Sequence, residues 1–197
     1  TSQIRKSIFL FSLITKRFLV KILSAVTLFF LKLGFPIKWL LKATIYEQFC
    51  GGVSITECSD IIKRMKKKNV FSILDYSIES LQNEKDFDNA FEKKLTIIKL
   101  SKENDMPFSV FKPTSLGSYK LFKKKSSKKN LNDKEKSDWF NIEKRFDRIF
   151  EKAKKMKIKI LVDAEEYEVQ NAIDELVLKM MKKYNGGNEA YIYNTVL

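Results

Sequence analysis

The run Phe108-Ser109-Val110-Phe111-Lys112-Pro113-Thr114 decides how the rest of the chain is read. Four residues of largely apolar, β-favouring character stop at a lysine, and the proline behind it has no N–H to give to a sheet ladder. A short apolar run bounded in this way reads as a buried strand with a polar residue at its C-terminal end. The pattern recurs on both sides. Upstream, Val70-Phe71-Ser72-Ile73-Leu74 ends on Asp75; downstream, residues 158–162 end on Asp163 and residues 190–193 end on Asn194.

Between these runs lie helical patterns. Residues 84–103 place Phe87, Phe91, Leu95 and Ile98 at helical spacing; Trp139, Ile142, Phe146, Ile149 and Phe150 share a second face; Val169, Ile173, Leu176, Val177 and Met180 share a third. Four strands alternating with helices predict a parallel sheet, because parallel strands need long crossovers and helices supply them. The fold class is therefore α/β. No G-x-G-x-x-G or Walker pattern marks an open nucleotide-binding sheet, so a barrel is the preferred architecture. In either arrangement Asp75, Lys112, Asp163 and Asn194 lie on the side where α/β active sites are built. Each residue alone also reads as a polar strand terminator. A lysine among carboxylates has two readings, a self-satisfied charge network or a cation for an anionic substrate.

Composition narrows the chemistry. The chain has 197 residues, enough for one ordinary core, and no histidine, which removes His-based triads. Cys50 and Cys58 alone cannot form a zinc site of the usual spacing, and no metal is expected. Two thiols fit a reducing cytosol. The net charge of +14, from 38 Lys and Arg against 24 Asp and Glu, attracts polyanions in general. Its lysine-dominated make-up reads as a solvated surface, and Lys123-Lys124-Lys125-Ser126-Ser127-Lys128-Lys129 reads as a basic loop. No specific nucleic-acid partner is expected.

Residues 8–41 are strongly apolar but broken by Lys16, Arg17, Lys21, Lys32 and Lys38. The longest uncharged run, residues 22–31, falls short of the roughly 20 residues a span needs. Amphipathic helices are expected here, packed on a domain or lying on a membrane surface. Gly34 and Pro36 close the region, and Ser54 with Glu57 predicts a capping box for a helix through Ile61, Ile62 and Met65. The expected division is residues 1–48 as apolar helices and residues 49–197 as the catalytic α/β part.

The strings Phe49-Cys50-Gly51-Gly52-Val53-Ser54-Ile55, Ser72-Ile73-Leu74-Asp75-Tyr76-Ser77, Val110-Phe111-Lys112-Pro113-Thr114, Leu161-Val162-Asp163-Ala164-Glu165-Glu166 and Tyr193-Asn194-Thr195 together resemble, in order and approximate spacing, the bacterial branch of the proline dehydrogenase family. The resemblance implies N-terminal helices followed by the first about four units of a TIM-like (β/α)8 barrel that binds FAD. It implies oxidation of L-proline to 1-pyrroline-5-carboxylate, the first step of proline catabolism, with electrons passed to a quinone. Lys112 matches the lysine that pairs with the proline carboxylate, Asp163 a strand-end aspartate shaping the proline and flavin pocket, and Asp75 a first-strand acid beneath it. Asn194 matches a residue that hydrogen-bonds the flavin. A cytoplasmic location follows, with peripheral contact to the inner face of the cytoplasmic membrane as an accompanying expectation.

The departures are as informative. Family chains continue past the Asn-Thr strand into four further units, which carry paired arginines for the substrate carboxylate and loops for the dinucleotide. The sequence given stops at Leu197, so an incomplete barrel, inactive by itself, is the expectation. The net charge leaves open an alternative, a non-catalytic basic module binding nucleic acid or an anionic membrane surface.

Overall fold

The computed structural model describes residues 2–46, 49–52, 54–76, 81–187 and 189–196. Two compact units divide the chain, residues 1–61 and residues 62–197. Val53 and Ser77, within the quoted motif strings, lie outside the described residues.

The first unit is helical. Helices α1 (Ser2–Ile14) and α2 (Arg17–Lys32) are followed by a bend at Gly34, whose φ of +74° is the left-handed conformation glycine adopts most easily. A short helix α3 (Lys38–Leu41) continues into a π-helical turn (Lys42–Tyr46). Helix α4 (Ile55–Lys66) begins where the capping pattern predicts, with the Glu57 N–H donating to Ser54 Oγ at 3.2 Å.

The second unit carries the sheet. Helix α5 (Glu84–Glu103) leads to β1 (Phe108–Phe111), a 3-10 turn (Pro113–Leu116), α6 (Tyr119–Ser126) and α7 (Asp133–Met156). Strand β2 (Lys159–Val162), α8 (Tyr167–Tyr184) and β3 (Ile192–Asn194) complete it. The strands run parallel in the order β1-β2-β3, with Phe111 opposite Val162 and Val162 opposite Asn194. Helix starts are capped by side chains. Asn83 accepts from the Asp86 N–H, and Asn132 with Glu135 forms a reciprocal box at α7.

Alternation along each strand sorts the side chains. Ser109, Phe111, Ile160, Val162 and Ile192 are buried, and all but Ser109 belong to one cluster with Phe91, Leu95, Phe122, Phe146, Phe150, Ile173 and Val177 from the helices. The opposite face, with Phe108, Val110, Leu161 and Tyr193, is half-buried. Beside the core, Arg145 is 6% exposed and reaches Asp88 Oδ1 at 2.8 Å, Glu84 Oε2 at 2.5 Å and the Leu116 carbonyl at 3.0 Å, so its buried charge is compensated.

Two expectations are corrected. Residues 70–75 form no strand: they run without a ladder, and Val70, Phe71 and Ile73 are exposed. In a strand, successive carbonyls point to opposite sides; the Phe111 carbonyl accepts from the Asp163 N–H on the β2 side, so the Val110 carbonyl points outward. Lys94, from α5, already donates to that carbonyl and lies 3.2 Å from Ser109 Oγ. The second correction concerns the basic loop. Lys123, Lys124 and Lys125 form the last turn of α6, where cations oppose the negative end of the helix dipole. Lys124 pairs with Glu135 at 2.6 Å and Lys123 with Glu168 at 2.6 Å.

Two outcomes follow for stability. A Cβ on Gly117 would stand 2.3 Å from Ile142 Cδ1 in the packed core, so Gly117→Ala should cost about 1–3 kcal/mol and lower the thermal midpoint; an unchanged midpoint would contradict this packing. Burial holds the Lys94 ammonium down to about 7 from 10.5, against a partial restoring pull from Asp75. Between those values the unfolded chain binds the extra proton, so stability rises with pH, by up to about 1.4 kcal/mol per unit. Lys94→Met should remove that rise in denaturant titrations across this window. A variant with the wild-type slope would show that Lys94 stays charged.

Candidate active site at the strand ends

The C-terminal ends of β1, β2 and β3 collect the polar residues of the second unit. Lys112 leaves β1 and caps the 3-10 turn that Pro113 opens, with its carbonyl accepting from Ser115 Oγ at 2.6 Å. Alternation puts Lys112 and Asp163 on the half-buried face, because Phe111 and Val162 before them face the helices. Lys112 Nζ stands 4.0 Å from Asp163 Oδ2, with the two side chains 33% and 42% exposed. This is a loose pair, worth at most about 1 kcal/mol, and it leaves both charges open to a ligand.

Glu165 ties the loops together. Its carboxylate accepts from the Thr114 N–H at 2.8 Å and from Thr114 Oγ1 at 2.6 Å. Burial pushes its pKa up, while the Thr114 bonds and the charge of Lys112 pull the other way. Its own N–H donates to Gln170 Oε1 at 2.9 Å, and Gln170 Nε2 donates to Asp174 Oδ1 at 2.7 Å. From there the network reaches β3, where Asn194 Nδ2 donates to the same Asp174 oxygen at 2.6 Å. Thr195 Oγ1 closes the circuit, accepting from the Ala164 N–H at 2.6 Å and donating to the Val162 carbonyl at 3.1 Å.

The four residues singled out from sequence are thus placed differently. Lys112 and Asp163 meet. Asn194, in register with Val162, lies toward the helices and is held by Asp174, while its Oδ1 is buried without a hydrogen-bond partner among the described residues. Asp75 is exposed on the segment before α5 that joins no strand ladder, where its charge acts on Lys94. Thr114, Glu165, Gln170 and Asp174 escaped selection as site residues. Thr114 and Glu165 stood inside quoted motif strings, and Gln170 with Asp174, one helical turn apart, is the legible sign of an i,i+4 polar pair facing the strand ends. Among the described residues no group of acidic or thiol side chains is arranged for a metal.

The half-buried face of Phe108, Val110, Leu161 and Tyr193 offers an apolar bed bordered by one cation and one anion. An apolar surface with a few convergent polar groups suits a small, partly aromatic ligand.

The chain is 34% identical to the carbapenem antibiotics biosynthesis protein CarD of Pectobacterium carotovorum subsp. carotovorum, over 74% of this chain and 39% of that protein. It is 27% identical to the mitochondrial proline dehydrogenase 1 of Dictyostelium discoideum, over 84% of this chain and 36% of that protein. The chain therefore spans less than two-fifths of the curated relatives it matches. Its fold resembles proline utilization A from Bdellovibrio bacteriovorus, in a crystal structure inactivated by N-propargylglycine, with a TM-score of 0.60 at 16% identity over 75% of this chain and 16% of that one. Residues 58–196, which include all three strand ends and the pair Lys112 and Asp163, match the family described as proline dehydrogenase, and the chain belongs to that family.

Proposed function

We propose that this chain forms the N-terminal part of a (β/α)8 barrel that oxidises L-proline with FAD and passes the electrons to a quinone. The observation that carries the reading is the pair of opposite charges, Lys112 and Asp163, 4.0 Å apart at the ends of adjacent parallel strands. Proline is a zwitterion whose carboxylate and ring ammonium are neighbours on one carbon. The Lys112 ammonium is a compact partner for the carboxylate, and Asp163 for the ring nitrogen. Their mutual bond is loose enough to be exchanged for substrate contacts.

The barrel reading is supported by the winding. Three strands in sequential parallel order, with the helices packed on one face, follow the pattern of a barrel rather than of a doubly wound sheet, in which helices cover both faces.

For the cofactor, the half-buried apolar face of Phe108, Val110, Leu161 and Tyr193 offers a surface to a planar ring. FAD, when bound, supplies the hydride-accepting centre that none of these side chains possesses. The chain's own part is to orient and to hold charge. Glu165 clamps Thr114 and so fixes the loop that follows Lys112, while Asp174 holds Asn194 in place.

The greater identity to the carbapenem biosynthesis protein, 34% against 27%, favours a second reading in which the same ring oxidation serves a biosynthetic route. Faster turnover of a ring-substituted proline than of L-proline would select it.

Addition of L-proline without oxygen to the flavin-loaded protein is expected to bleach the visible flavin bands. A bound flavin indifferent to every proline derivative would overturn the proposal. Lys112→Ala should raise the proline concentration for half-maximal bleaching about ten- to a hundred-fold, as expected for one lost charge-assisted bond of about 1.5–3 kcal/mol. An unchanged half-point would remove Lys112 from the substrate site.

A further inference from the structure

The two cysteines lie in the first unit and have no part in the oxidation reading. Cys50 is exposed, Cys58 is half-buried, and both are free thiols. Cys58, in the first turn of α4, donates its N–H to the Ser54 carbonyl at 3.1 Å and leans back over the bend that precedes the helix. Its Sγ lies 3.9 Å from the Gly52 carbonyl oxygen. A Cβ on Gly52 would stand 3.2 Å from that sulfur, and one on Gly51 3.8 Å from it. The thiol thus fills the space that side chains at 51 and 52 would take. Cys50 is the next residue, its Cα one trans peptide, about 3.8 Å, from that of Gly51.

A disulfide needs its two Cα atoms about 4.4–6.8 Å apart, and the bend between the cysteines is built to reach that spacing. Gly51 and Gly52 carry no side chains to clear, and Gly52 has a φ of +155°, a conformation open to glycine and to little else. Tyr46 registers both sulfurs: burial first, then the charges of Cys50, Glu57 and Cys58, push its hydroxyl up. Exposure separates the roles of the two thiols. Cys50 meets a reagent arriving from solvent. Cys58, whose thiol is pushed up by burial and by the Glu57 carboxylate, is the sheltered partner that answers second. The chain has no third cysteine to compete for either.

We propose that Cys50 and Cys58 form a reversible thiol pair that is oxidised by a small disulfide, glutathione disulfide, and closes an intramolecular bond across Gly51 and Gly52. The Cys50 thiolate attacks one sulfur of glutathione disulfide, whose S–S bond breaks, and one glutathione leaves as the thiolate. The Cys58 thiolate then attacks the Cys50 sulfur of the mixed disulfide and expels the second glutathione. The pair gives up two electrons and two protons, and glutathione disulfide takes them up as two thiols. The bond ties the bend to the first turn of α4. The proposal stands apart from the proline-oxidising reading, so either can fail without the other.

The test holds the whole 197-residue chain in mixtures of glutathione and glutathione disulfide, quenches with acid and weighs the tryptic peptides. Cys50 and Cys58 fall in one such peptide, residues 43–63, which carries no other cysteine. The expected product is that peptide lighter by two hydrogens and restored by excess dithiothreitol. Its equilibrium constant for closure should be at least about ten-fold greater in the folded chain than in guanidinium chloride, because the fold holds the two sulfurs together. Cys58→Ser, and Cys58→Ala beside it, should stop at a single glutathione on Cys50. Two glutathiones on the wild-type peptide, a dimer joined through Cys50, or closure no more favourable than in denaturant would overturn the proposal. So would a Cys58→Ser chain that takes up no glutathione.

Discussion

The packing of Phe111 decides where the chemistry of the second unit sits. Its ring meets Phe146 edge-on at 5.3 Å and lies 6.0 Å from Phe150, and through them it anchors β1 to α7. With Phe111 fixed toward the helices, alternation leaves no choice for Lys112, which must turn to the opposite face. The same holds for Val162 and Asp163 one strand away. The Asp163 N–H to Phe111 carbonyl bond, 3.0 Å, then sets the two ends level, so that a lysine and an aspartate far apart in sequence face each other. A one-residue slip in either strand would turn its charge into the apolar core.

This is why the lysine and aspartate were legible in the sequence and the asparagine's surroundings were not. Strand ends that step from apolar to polar reveal themselves in the sequence, and β1, β2 and β3 lie where the apolar runs place them. Whether the terminal residue turns inward depends on register, which no strand states by itself. Asn194 pairs with Val162 rather than with Asp163, and that single step puts it among the side chains of α8. Lys94 was invisible for a related reason. A lysine in a helical pattern reads as surface, and only the open edge of β1 gives it a buried use.

The charge of +14 also means different things in the two units. In residues 62–197 many lysines are spent inside the fold: Lys66 on Asp105, Lys123 on Glu168, Lys124 on Glu135, Lys183 on Asp147. Each such pair is worth little by itself, but it lowers the field that reaches solvent. Residues 1–46 contain no carboxylate of their own, and Lys42 reaches outside the segment to Glu57 at 3.3 Å. Net charge taken over the whole chain therefore misjudges both parts, overstating the attraction of the sheet unit for polyanions and understating that of the helical one.

The edge of β1 brings these threads together. A strand edge in water is a template for pairing, and proteins protect it with an inward charge or a covering element. Here the protection is Lys94, which satisfies the Val110 carbonyl at the expense of much of its own hydration. Residues 70–75 have the composition of a neighbouring strand and end on Asp75, whose charge favours the protonated lysine. Protonation strengthens the hold of Lys94 on the carbonyl, and loss of the proton weakens it, since a charged donor makes the stronger bond. The cover of this edge therefore depends on the local dielectric around one ammonium group.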